Sequence, residues 1–125
     1  MENKKALKLI DKIVGDLERN GIIVNTLTDD LRELRPYAVD GKIPLAAKAI
    51  RLTYEHIELF ETFAIPIPDD EPIEEDGEVI SNTSVDPVES LTYMMSLLKD
   101  TKNKVNSADL REYVDAMIAY AEENA

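Results

Sequence analysis

Apolar residues recur along this chain at helical spacing. In residues 3–20, Ala6, Leu7, Ile10, Ile13, Val14 and Leu17 share one face, and Lys5, Lys8, Lys12, Asp16 and Arg19 lie off it. That pattern predicts an amphipathic first helix. Asn20-Gly21 predicts its end, because both residues tolerate the left-handed backbone that closes a helix. Ile22-Ile23-Val24 reads as an extended connector pinned to the core. A second helix is expected from a Thr26 or Thr28 cap, with Asp29 and Asp30 in its first turn and Leu31, Leu34 and Ala38 inward. Pro36 predicts an end or kink near Arg35, because its ring would clash with the Arg32 carbonyl.

Asp40-Gly41-Lys42 reads as a turn, and Pro44 suits the first position of a third helix over about 43–64, expected to be the longest. Its apolar arc contains Leu45, Ala46, Ala49, Ile50, Leu52, Ile57, Leu59, Phe60, Phe63 and Ala64, wide enough to touch two neighbours. Ala46, Ala47 and Ala49 would let one of them approach closely. Residues 65–86 read as a long acidic loop with room for a short strand at Glu78-Val79-Ile80. Asp86-Pro87-Val88-Glu89 combines a cap, a first-turn proline and an acid, and opens a fourth helix running to about Asn103 with Val88, Leu91, Met95 and Leu98 inward. Asn106-Ser107 is expected to cap a fifth helix that buries Leu110, Tyr113, Val114, Met117, Ile118, Tyr120 and Ala121. These elements predict an all-α fold: one antiparallel helical bundle of about five helices, four long and one short, forming a single domain over 1–125.

Composition narrows the chemistry. The 125 residues include no Cys and one His, which excludes disulfides, cysteine nucleophiles and histidine-rich metal sites. No apolar run approaches a bilayer span, and the N-terminal segment is amphipathic, so the expected location is the cytoplasm. Net charge is -12. Residues 1–51 carry ten Lys/Arg against eight Asp/Glu, and residues 99–125 carry four against six. The whole excess therefore lies in 52–98, which holds twelve acids and no basic residue. Such a chain repels nucleic-acid phosphates and anionic membranes and attracts a basic protein or divalent cations.

Motifs for specific chemistry are sparse. The glycines form no phosphate-binding pattern. An EF-hand register with Gly77 at its sixth position puts Pro72 first and Thr83 twelfth, and both fail as ligands. His56 lies inside the apolar arc of the third helix, with neither Glu55 nor Glu58 on its side. It reads as a buried or half-buried structural histidine bonded to a backbone carbonyl or a Tyr or Thr hydroxyl. Met94, Met95 and Met117 read as core filling.

Glu55, Glu58 and Glu61 form a row at i, i+3, i+6, and Asp86 and Glu89 open the next helix. Glu55, Glu58, Asp86 and Glu89 together could hold Mg²⁺. This spacing resembles the Glu-x-x-Glu and Glu-x-x-Asp pairs of the MazG-like all-α nucleotide pyrophosphatases, and that resemblance implies a Mg²⁺-dependent enzyme acting on a nucleotide. The chain departs from the family pattern. There the acids sit well inside helices and face the bundle interior, whereas here Asp86 and Glu89 serve a cap and the glutamate row lies on a polar side.

The leading expectation is a non-enzymatic interaction or regulatory protein, without a cofactor, that turns an acidic surface within 52–98 toward a basic partner. Its candidate contact residues are Tyr54, as an exposed aromatic anchor, with Glu55, Glu58, Glu61, Asp69, Asp70, Glu71, Glu74, Glu75, Asp76 and Glu78. A self-associating structural protein, with a leftover apolar face as homodimer seam, is the third reading.

Overall fold

The first helix, α1, spans Lys4–Asn20. The Asn3 side chain accepts from the Lys5 and Ala6 N–H groups at 2.8 and 3.2 Å, supplying the partners that a helix start lacks. Ala6, Leu9, Ile10, Ile13 and Leu17 are buried, so the inward face is turned slightly from the expected one, with Leu9 in and Leu7 and Val14 at the margin. Gly21 closes the helix at φ 72°, a conformation that a side chain resists. The structure, a computed structural model, describes residues 1–68, 74–75, 78–79 and 86–124.

Helix α2 spans Val24–Asp40 and departs from expectation at both ends. It begins before Thr26, so neither threonine caps it and Val24 belongs to the helix rather than to a connector. The early start buries Leu27 and Thr28 beside Leu31. Asp30 lies well inside, where it pairs with Lys12 of α1 at 2.8 Å. Pro36 does not end the helix. Pro36 and Arg32 are both exposed, so the carbonyl that loses its helical partner faces water. Leu34 and Ala38, fully buried on the other side, hold the last turn in place.

Helix α3 spans Pro44–Phe60, with Pro44 in its first turn as expected. It stops short of 64 because Glu61 turns left-handed, at φ 60° and ψ 20°. That reversal lets Phe63 and Ile65 bury at 0% and 2% exposure. The buried face of α3 is Ala46, Ala47, Ala49, Ile50, Thr53, His56 and Ile57. Leu59, expected inside, is 71% exposed.

Two-residue strands β1, Glu74–Glu75, and β2, Glu78–Val79, pair antiparallel, Glu74 opposite Val79. Helix α4, Pro87–Leu98, is capped by Asp86, whose carboxylate accepts from the Val88 and Glu89 N–H groups at 3.1 Å. It ends at Leu98 instead of near Asn103, because the polar run Lys99-Asp100-Thr101-Lys102 has nothing to bury. Helix α5, Lys104–Glu123, is the longest at 20 residues, so α4 with 12 is the short member. Its cap is Asn103, not Asn106-Ser107. Asn106 and Ser107 instead tie the preceding loop through the Asp100 and Thr101 carbonyls, at 3.0 and 2.8 Å.

The fold is an all-α bundle around one apolar core. The principal packing runs α1 to α2 to α3 to α5 to α4 and back to α1, and inside this ring Thr53 of α3 reaches Met94 of α4 and Met117 of α5. Arg35 fastens α2 to α3 by donating from Nε to the Ala47 carbonyl at 3.2 Å. Met94, Met95 and Met117 are core residues. Among the described residues, no helix is long and apolar enough to cross a membrane.

Candidate interaction surface

The packing of α3 on α2 and α5 decides what its outer side displays. The inner stripe 46, 49, 50, 53, 56 and 57 is continuous at helical spacing. Leu45, Leu52 and Leu59 fall one turn-edge away, seven residues apart. Leu45 and Leu52 are half-buried and Leu59 stands in solvent, so they make an apolar ridge that emerges toward the end of the helix.

Carboxylates border this ridge in two different states. Arg51 Nη1 reaches both carboxylate oxygens of Glu55 at 3.2 Å. Arg32, reaching over from α2, pairs with Glu58. The same guanidinium covers the Tyr54 ring, 4.6 Å from its centroid. Tyr54 is therefore half-buried with an occupied face, and the exposed aromatic on this side is replaced by an exposed aliphatic. Glu61, Asp86 and Glu89 are exposed and form no ion pair among the described residues. Exposed pairs such as Arg51–Glu55 are worth about 0–1 kcal/mol, so they give way readily to a better partner.

Asp69, Asp70, Glu71 and Asp76 lie outside the described residues. Glu74, Glu75 and Glu78 contribute backbone to the strand pair. Of the four acids considered for Mg²⁺, Glu55 and Glu58 are held by arginines, Asp86 caps α4, and Glu89 is exposed in the first turn of α4. Among the described residues, no three His, Asp or Glu side chains gather as a metal-holding group.

Behind this surface lies a buried polar and aromatic layer. His56 is 4% exposed, and its Nε2 accepts from the Ala64 N–H at 3.1 Å. It is the structural histidine expected from the sequence, but its partner is a donor rather than a carbonyl or hydroxyl. Phe60, Phe63 and Tyr120 surround the ring at 4.9, 5.5 and 5.1 Å between centroids. Burial pushes its pKa below the ordinary value. On α4, Ser90 Oγ donates to the Ile65 carbonyl at 2.6 Å, and the Tyr113 hydroxyl of α5 donates to the Ser90 carbonyl at 2.9 Å. Burial pushes the Tyr113 phenol well above its usual range. Tyr93 donates to Asp109 at 2.5 Å, joining α4 to α5 once more.

Sequence reasoning missed Leu59 as a surface residue, and Arg32 and Arg51 as partners of the acid row. The signal for Leu59 was present: the stripe 46, 50, 53, 57 and 60 is complete without it. The pairing of Arg51 with Glu55 was also readable, as an i, i+4 couple on one helix. Compared with known proteins, the chain matches no family model, no curated protein and no solved structure.

Proposed function

We propose that this protein is a non-enzymatic interaction module that binds a basic protein through the outer side of α3 and the acids of the 52–98 span. The observation that carries the reading is Leu59, 71% exposed and flanked in sequence by Glu58 and Glu61 within a span that holds no basic residue. An apolar group in an acidic field suits a partner that offers lysine or arginine around an aliphatic or aromatic side chain. The field accelerates encounter, and burial of the leucine slows dissociation. Completing the burial of Leu59 is worth about 1–2 kcal/mol.

The test is affinity capture at low salt, followed by binding kinetics on the purified partner. The wild type is compared with Leu59→Ser and with Glu61→Gln/Glu89→Gln. Association should slow in the charge variant and on raising salt, and dissociation should quicken in Leu59→Ser. Binding that ignores salt and both variants would remove the proposal.

A further inference from the structure

The residues after α3 leave the helix at Glu61 and turn back onto the bundle. Two hydrogen bonds hold that return, from the Ala64 N–H to His56 Nε2 and from Ser90 Oγ to the Ile65 carbonyl. The first requires a bare ring nitrogen. A protonated imidazole carries hydrogen on both nitrogens, so its Nε2–H would point at the Ala64 N–H. The surroundings offer the cation no compensation. From α5 the facing group is the Tyr120 ring, from the returning segment it is Phe63, and from α3 itself it is Phe60. The Tyr120 phenol is the titratable group in ring contact with His56. Tyr113 touches Phe63 rather than the imidazole. Among the described residues, no carboxylate or ammonium pairs with His56. A charged ring at 4% exposure is therefore both unpaired and opposed by a donor.

We propose that His56 is a proton-operated clasp: neutral, it holds residues 61–64 against α3 and α5, and on protonation it releases them while the helices stay packed. The chain then has two arrangements of the segment leading out of α3, selected by mild acidification. The new Nε2–H gains water only when Ala64 and its neighbours move off that edge of the ring, so release of this segment and protonation are one event. The Ser90 bond to Ile65 has no titrating member in this range. It keeps the downstream part of the segment near α4 and confines the opening to the His56 side.

The test uses the full chain and NMR from about pH 7.5 to about pH 4.5, a range that brackets an imidazole titration. The sequence has one histidine, so the imidazole signal needs no assignment among competitors. The ring should titrate below its ordinary pKa. Across that titration the Ala64 amide, corrected for intrinsic exchange, should lose protection about tenfold or more, the loss of one hydrogen bond plus an opposed charge. Amides of α1 and α2 should keep theirs. Three results would each overturn the clasp: an imidazole that stays neutral throughout or titrates at or above its ordinary value, Ala64 protection unchanged while the ring protonates, and loss of protection in α1 and α2 in step with Ala64. His56→Gln retains an acceptor without a titration and should make Ala64 protection flat with pH. The same pH-dependent loss in that variant would also overturn it. If the variant does not fold, the wild-type titration decides alone.

Discussion

Removing the Ser90 hydroxyl should destabilise the bundle more than removing the Tyr113 hydroxyl, although Tyr113 is the larger residue and both are buried. Each hydroxyl owns one proton. The Ser90 proton goes to the Ile65 carbonyl at 2.6 Å, and the Tyr113 proton goes to the Ser90 carbonyl at 2.9 Å. The 3.1 Å approach of the two hydroxyl oxygens is then a contact with no proton of its own. In Ser90→Ala, the Ile65 carbonyl, in a residue 2% exposed, is left without this donor. Such an orphaned buried acceptor costs about 1–3 kcal/mol. In Tyr113→Phe, the Ser90 carbonyl keeps its place in the α4 backbone ladder and loses only a second donor, a cost of about 0.5–1.5 kcal/mol. For a chain of this length, about 1 kcal/mol moves the melting point by about 4 °C. Urea unfolding followed by helical circular dichroism measures both variants, with the slope m checked for constancy. A Tyr113→Phe loss exceeding that of Ser90→Ala, or a Ser90→Ala loss below about 0.5 kcal/mol, would show this proton assignment to be mistaken.

Three further outcomes follow from the geometry. Asp86→Ala should cost about 1 kcal/mol by uncapping α4, and Asp86→Asn only a fraction of that, readable as a difference in thermal midpoints. Gly21→Ala should cost about 1 kcal/mol or more, although nothing lies within 4 Å of the added carbon, because the strain is in the φ of 72°; urea midpoints check it. Stability should fall as pH drops from the ordinary imidazole pKa of 6.5 through the lower folded value of His56, since the unfolded chain binds the extra proton there. Subtracting the His56→Gln profile from the wild-type profile isolates this from the carboxylates, and a difference that stays level or falls as pH rises would contradict the sign.

What the sequence disclosed, and what it hid, divides along a physical line. The extent of α1 was legible to within a residue, because a clean apolar stripe and an Asn-Gly stop are both local signals. The Asp86 cap was legible for the same reason. Pro36 misled because the proline rule describes a lost backbone bond and not its location, and a loss on the wet side of a helix is cheap. Asn103 and Asn106 are equally good caps by composition, and the tertiary fit of the loop chose the earlier one. On α3 the arc was drawn wide enough to admit Leu59, although the narrower stripe 46, 50, 53, 57 and 60 was already readable, and the positions of α2 and α5 select the narrower one. Of the candidate surface, the acid row was visible. The Arg32 bridge from another helix was not, nor were the Ser90 bonds to Ile65 and Tyr113, which link residues 25 and 23 apart.

The alanines of α3 carry one more consequence. Ala46, Ala47 and Ala49 let α2 and α3 lie close across a connection of only residues 41–43. Drawing those two helices together closes a very short loop and freezes few rotamers, so it spends little chain entropy. Docking α5 onto α3, or α4 onto α1, must first span much longer stretches. Folding should therefore begin in the α2–α3 hairpin: truncations such as Ile50→Ala should slow folding, and truncations where α1 meets α4 should mainly hasten unfolding.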